Sequence, residues 1–442
     1  TVLMVAEKPS IALTLSNALN EGAEGRVQKR KGLSPSSPVY EYDGTFMGCQ
    51  VRFRVTATTG HMYSLDFSQE SNDWNKVTPS DLFDADTVRC YDRHSRIPEH
   101  IASEAKGADA LVLWLDCDRE GENICFEVIG EALRGMNRGR SWPGAYMDCI
   151  YRAHFSSLSA VDLRSAMDNL GHPDLHMAHS VDARQEIDLR LGVAFSRLQT
   201  LYFRTHFGNQ LGRKMVTYGP CQFPTLWFCV KRHCEVQAFV PVPFWRLKMT
   251  VNLDGHPVEC QCHTGDIWDQ ADAEGRADQL RAGVQTAKIE RARAWKSSCR
   301  RPLPLNTVAM LKMASQELGL GPGDTMHYAE QLYLKGVLSY PRTETDKYPE
   351  NFDLVATIRN ISSGPWAAHA QRILQEGISA PRADGNDAGD HPPITPVKMA
   401  TRSQCGDEAG WVLFQAICTR FLSTVSPDGV FDEAEVRFNV DG

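Results

Sequence analysis

The chain has 442 residues, 42% hydrophobic and 23% charged, with 13 cysteines and a formal net charge of -8. That length predicts several domains, no apolar run approaches the roughly 20 residues of a membrane helix, and the cysteines lack the paired spacings of a structural zinc site, so they read as reduced thiols of a cytosolic or nuclear protein. The negative charge argues against a uniformly basic nucleic-acid-binding surface but not against a local basic groove.

In chain order, "VLMVAEKPSIALTLSNAL" reads as a buried strand, a turn at Glu7–Pro9 and a helix with Pro9 in its first turn. No secretory leader is visible, an acid and a base following after only six residues, and the start at Thr1 instead of Met leaves room for a short trimmed leader. "CQVRFRVTATTGHM" alternates like a strand. "ALVLWLDCDREGENICFEVIGEAL" repeats the pattern of apolar strand (Leu111–Leu115), charged turn and helix. From about Phe155 to Arg213 the pattern is helical, with Ile187, Leu191 and Phe195 on one apolar face. Strand signals return from Pro241 to Val258, residues 263–285 look like polar surface, and Lys288–Arg301 is a basic run. Asn306 is placed to cap one helix and Asp324 the next, which Gly336 stops. Val337–Ser339 reads as a short strand that Pro341 ends, leaving Tyr340 at a strand-to-loop junction. "FDEAEVRFNVDG" alternates like a strand without a partner, and its final Asp-Gly predicts a hairpin mate after it.

The chemistry concentrates at a few points. Asp116, Asp118 and Glu120 alternate after a buried strand; in an extended turn they share a face, and three converging carboxylates suit Mg²⁺. Glu7 and Lys8 end another buried strand, where Glu7 adds a carboxylate and Lys8 suits a phosphate. Tyr340 carries a phenol that nearby cations would acidify, and Arg342 can grip a phosphate in a bidentate fork. Attack by that phenol on a phosphodiester gives a covalent phosphotyrosine and conserves the bond energy. Rejoining then needs no ATP, in keeping with the missing Walker A motif.

Seven stretches in order, "VAEKPS", "TTGHM", "LDCDREGEN", "SVDARQEIDLRLG", "GPCQFPTL", "LSYPRTET" and "GDHPPITP", resemble type IA DNA topoisomerases of the topoisomerase III group, and "DCDREGENICFEV", "YPENFDL" and "DAGDHPPITP" look most like its eukaryotic beta branch. The resemblance implies a multidomain α/β and α+β toroid. Its Toprim metal-binding domain would be 1–152, a helical single-strand-groove domain 153–216, a β-rich arch 217–302, a helical domain with the nucleophilic tyrosine 303–396, and a truncated return into the arch 397–442. It implies Tyr340 as nucleophile joined to a 5′ phosphate, and Arg342 and Lys8 on the scissile phosphate. It further implies Asp116, Asp118 and Glu120 on Mg²⁺ with Glu7 beside them, His391 as active-site histidine, and Arg184, Asp188, Arg190 and Gln222 lining the groove. In the free protein Tyr340 would be buried against the acids.

The beta branch implies RNA as well as DNA as substrate and a Tudor-domain scaffold partner; residence in nucleus and cytoplasm is expected, with no membrane partner, as the missing apolar run indicates, and no nucleotide cofactor, as the missing Walker A motif indicates. Trp227 and Lys231 depart from the family's usual Gly and Glu, and Phe223 is more like the alpha branch. Closing the ring would take on the order of a hundred further residues, so the chain reads as a piece of a longer protein. The rival readings are a Toprim nuclease or primase, which leaves Tyr340 without a use, and a non-catalytic single-strand-binding scaffold.

Overall fold

The computed structural model describes residues 1–20, 26–74, 76–136, 147–211, 214–283 and 286–440. The chain divides into two compact units, Thr1–Pro220 with Arg301–Pro427, and Cys221–Arg300 with Asp428–Gly442.

The first unit opens with β1 (Val2–Ala6), α1 (Pro9–Asn20), β2 (Gln28–Arg30), β3 (Val39–Phe46) and β4 (Cys49–Ala57). The hairpin of β5 (Ser64–Phe67) and β6 (Thr87–Cys90) follows, then α2 (Ile97–Glu104), β7 (Ala110–Trp114), α3 (Arg119–Ala132) and β8 (Ile150–Arg152). Six strands make one sheet in the order β2-β3-β4-β1-β7-β8. β1 is parallel to both neighbours, with Ala6 opposite Ala57 and Trp114. Every residue of β1 and β7 is buried, the signature of strands covered on both faces. Alternation divides β1 between two layers: Met4 packs with Ile11 and Leu15 of α1, and Leu3 and Val5 pack with Ile101 of α2 and Val128 of α3.

Two helices continue this unit, α4 (Ala160–Asp168) and the long α5 (Leu175–Leu211). The apolar face expected on α5 is not its packed face. Ile187 and Phe195 are exposed, while Ala178, Val181, Ala194 and Thr200 are buried. Small residues let α5 lie close to its neighbours, and the larger side chains stay outside.

The second unit contains α6 (Gln222–Ala238), β9 (Lys248–Leu253), β10 (His256–Gln261), α7 (Gln270–Ala282) and β11 (Lys288–Cys299). Within the polar stretch 263–285, α7 is capped by Asp269 and braced by Arg276 on Asp272.

Back in the first unit come α8 (Thr307–Leu318), α9 (Pro322–Leu334), α10 (Leu354–Ile361), α11 (Ala367–Glu376), α12 (Arg402–Cys405) and α13 (Glu408–Thr424). Asn306 caps α8, accepting from the Ala309 amide at 2.8 Å. α9 starts two residues before Asp324, at Pro322 with Gly321 in the cap position; proline at N1 lacks only an N–H the helix would leave unpaired. Leu338 makes a single bridge to Pro396, not a strand. Residues 397–427, expected to begin a return into an arch, belong to the first unit, and the chain re-enters the second unit at Asp428. Trp411, Phe414, Ile417 and Phe421 of α13 instead share one core with Met310 and Leu332, which binds α13 to the helical body.

The last strand, β12 (Gly429–Asn439), does have a partner: it pairs antiparallel with β11 along nearly its whole length. The same pairing absorbs the basic run, because Arg293 meets Glu435 and Ser297 donates to Glu433 across the ribbon. The Asp-Gly signal points to a mate downstream, whereas the actual mate lies upstream, across the whole helical body. The turn signal at Asp441–Gly442 lies outside the described residues.

Candidate active site

The register of β1 on β7 brings Glu7–Lys8 and Leu115–Asp118 out side by side at the carboxyl edge of the sheet, where open α/β sheets hold their ligands. Asp118 caps α3, its Oδ1 accepting from the Gly121 amide at 2.8 Å. A Cβ on Gly121 would fall 1.9 Å from the Asp116 carbonyl oxygen, so this approach requires glycine. Arg152, fully buried, donates to the carbonyls of Leu115 (2.7 Å) and Asp116 (2.9 Å) and to Glu122 (2.6 Å). Glu122 in turn accepts from the Asp174 amide just before α5. Beyond β4, Thr59 and Gly60 have φ of 92° and 95°, and Thr59 donates its amide to the Glu7 carbonyl at 2.8 Å. A β-branched residue is strained there, and the turn delivers His61.

The acids crowd. Glu7 accepts from the Asp116 amide at 3.2 Å, and Lys8 Nζ lies 3.5 Å from Asp116 Oδ2 and 3.9 Å from Glu7. Burial, and then the charge of Asp116, raises Glu7 to about 7. Burial also pushes Asp116 upward, against the pull of Lys8. Glu120 does not join them. Helix α3 has already begun at Arg119, so the alternation of an extended turn no longer applies. Glu120 instead accepts from Arg184 at 2.7 Å and meets His61 Nε2 at 3.0 Å. His61 also faces Glu127 at 3.1 Å, and that hydrogen bond above all lifts it to about 9.

Among the described residues no three His, Cys, Asp or Glu side chains form a group able to hold a metal. The donor chemistry of Glu7, Asp116 and Asp118 still fits a hard divalent cation. All three offer oxygen; burial above all, with the neighbouring carboxylates adding to it, raises the proton affinity of the first two.

Tyr340 is buried against these acids, as expected. Its hydroxyl donates to Asp118 Oδ2 at 2.5 Å and its amide to the Ser156 carbonyl at 2.9 Å. The cations expected to acidify it are outweighed: burial, then the charges of Asp116 and Asp118, drive the phenol far above its ordinary range. Arg342 is paired with Glu330, Nε to Oε1 at 3.0 Å. The His391 ring lies 4.3 Å from that of Tyr340, and burial lowers its pKa to about 4. It is therefore neutral, and its buried Nε2 has no hydrogen-bond partner among the described residues. Asp390 accepts from the Thr345 hydroxyl (2.6 Å), the Glu344 amide (2.8 Å) and the Thr343 hydroxyl (3.1 Å), fastening the loop of Tyr340 to that of His391.

The Toprim domain model matches residues 2–156, and the family model described as DNA topoisomerase matches 172–442. The chain belongs to the type IA DNA topoisomerases. It is 43% identical to DNA topoisomerase 3-beta of Arabidopsis thaliana and to DNA topoisomerase 3-beta-1 of Homo sapiens, over 100% of this chain and 49% and 50% of theirs. Identity to DNA topoisomerase 3-alpha of Homo sapiens is 35%, over 99% of this chain and 42% of that one. The full-length topoisomerase I of Thermotoga maritima shares the fold with a TM-score of 0.67 at 19% identity, over 99% of this chain and 63% of that one. The chain thus spans about half the length of the curated relatives it matches.

The groove candidates of this topoisomerase chain divide. Arg184, half exposed, bridges Glu120 and Asp188 beside the acids. Arg190 is occupied: it donates to the carbonyls of Leu82, Phe83 and Ala85 and pairs with Glu186, which anchors α5. Gln222 opens α6 in the second unit, and Trp227 stands exposed on the same helix. The sequence reading missed Tyr333, Glu330, Asp390 and Arg152. Tyr333 lies seven residues before Tyr340, and Asp390 directly precedes His391 within a quoted motif, so motif neighbourhood could have found both.

Proposed function

We propose that this chain carries the cleavage centre of an ATP-independent, Mg²⁺-dependent topoisomerase that cuts single strands through a 5′-phosphotyrosine, lets a strand pass and rejoins the ends. The observation that carries this reading is the buried Tyr340 phenol, hydrogen-bonded to Asp118 with the unpartnered His391 Nε2 beside it. The phenolic oxygen attacks phosphorus and the P–O3′ bond breaks; the proton the phenol gives up equals the one the 3′ oxygen gains. Arg342, on leaving Glu330, and Lys8 hold the phosphate oxygens, and His391 supplies a hydrogen bond at the reacting group. Glu7, Asp116 and Asp118 would hold Mg²⁺, which supplies positive charge against the acids and the scissile phosphate. Resemblance to the beta branch is the support for extending the reading to underwound DNA, to RNA, to a Tudor-domain partner, and to nucleus and cytoplasm as places of action.

The test is a single-stranded oligonucleotide labelled at either end. The 3′ label should stay with denatured protein, and the 5′ label should leave on a fragment ending in a 3′ hydroxyl. Nicking with no protein-linked label would instead favour a Toprim nuclease.

A second expectation concerns the acids. A carboxyl raised by folding stabilises the fold fully below its ordinary value of 4.5, and Glu7 loses that contribution as pH rises through about 7. With that proton lost, Glu7 would be free to hold a divalent ion in its place. Adding Mg²⁺ should therefore raise Tm more at about pH 8 than at about pH 5.5. Equal gains at both would place the ion away from Glu7.

A further inference from the structure

We infer that Tyr333 is a latch that keeps the tyrosine-bearing helices closed on the Toprim acids while the strand is cut; this rests on the transesterification reading above. Tyr333 sits in the last turn of α9 and is 2% exposed. Its hydroxyl donates to Asp116 Oδ1 at 3.1 Å, and its ring meets Tyr340 edge-on with centroids 5.2 Å apart. Two phenol–carboxylate bonds therefore tie the helices α8–α13 to the acidic turn, Tyr333 to Asp116 and Tyr340 to Asp118. The second cannot outlast the reaction. When the Tyr340 oxygen becomes a phosphate ester, its proton has gone, the 3′ oxygen has gained one, and the Tyr340 oxygen has nothing left to donate to Asp118, which keeps only its bond from the Gly121 amide of its own helix. Tyr333 takes no part in the chemistry, so its hydroxyl remains as the donor to Asp116 in the cut state. It also leaves that carboxylate doubly braced, Oδ1 by the phenol and Oδ2 by Lys8 at 3.5 Å.

Losing one latch of two is tolerable before cleavage. Losing the one phenol latch that remains after cleavage lets the ends drift and slows rejoining. Tyr333 is thus a positioning residue whose effect is confined to one side of the reaction.

The test compares the full chain with Tyr333→Phe, which keeps the ring and its packing, and with Leu332→Ala, which loosens the neighbouring core without touching Asp116. Cleavage and rejoining of a labelled single strand are measured separately with Mg²⁺ present, below the melting point of every variant. Tyr333→Phe should rejoin about tenfold more slowly, the factor carried by a hydrogen bond to a charged acceptor, with cleavage rate and strand affinity within about twofold. Its protein-linked fraction should rise accordingly. Leu332→Ala should lower Tm and leave the rejoining rate as it was. Equal rejoining by Tyr333→Phe and wild type, equal slowing of cleavage and rejoining, or the same rejoining defect in Leu332→Ala would each overturn the latch. A wild-type chain that links to no strand overturns the transesterification reading itself and the latch with it, which distinguishes the two failures.

Discussion

Tyr340→Phe should reduce formation of the protein-linked strand at least ~1000-fold, as removal of a nucleophile does elsewhere, while single-strand binding and fold persist. The substitution deletes one oxygen. The ring keeps its place against Tyr333 and His391, and the amide keeps its bond to Ser156. What the fold loses is one hydrogen bond to a carboxylate, offset in part because Asp118 retains the Gly121 amide. A stability change of about 1–3 kcal/mol is the scale for such a loss. Gel detection of the linked label, with a thermal melt alongside, checks both halves. Undiminished linkage in this variant would mean that another residue is the nucleophile.

Arg152→Met should be the most damaging substitution for stability. Arg152 is buried in full, and its guanidinium answers Glu122 and the carbonyls that shape the acidic turn. Removing it leaves Glu122 as a buried charge without its cation, a loss of about 3–5 kcal/mol. The Asp116 carbonyl loses a donor at the same time, so divalent-ion binding should weaken with stability. Adding Glu122→Gln removes the stranded charge and should recover more than half of the lost stability in urea titrations. A single variant within about 1 kcal/mol of wild type would show that the pair does not hold the turn together.

The sequence disclosed what short-range rules govern. The runs Val2–Ala6 and Ala110–Trp114 announced central strands because both faces are covered, and Asn306 announced its helix because capping acts over three residues. Glu120 was misplaced because helix α3 starts one residue before it, a boundary that D-x-D-x-E alone does not mark. The surroundings of Tyr340 were misjudged in sign. Arg342 is close in sequence but is turned to Glu330, while Asp116 and Asp118, more than two hundred residues away, lie against the phenol. Arg190 came in as a groove residue by resemblance; the carbonyls of Leu82, Phe83 and Ala85 that hold it were out of reach of the sequence, because a charge on a helix does not say which backbone carbonyls will surround it. Type and order of elements were local; partners and facing were not.

The ribbon of β11 and β12 carries a consequence for how the chain folds. Cys299 pairs with Gly429, so everything between them must be looped out before the first rung closes. Holding the ends of so long a loop together costs roughly 3 kcal/mol more than closing a tight hairpin. The helical body removes most of that cost once formed, since Arg301 near its entry donates to the Ser426 carbonyl near its exit at 3.2 Å. The two strands are then delivered to each other as neighbours. Zippering of the ribbon should accordingly follow collapse of α8, α9 and α13, and pulse-labelled hydrogen exchange during refolding should find amides of Gly429–Asn439 protected later than those of Glu408–Thr424.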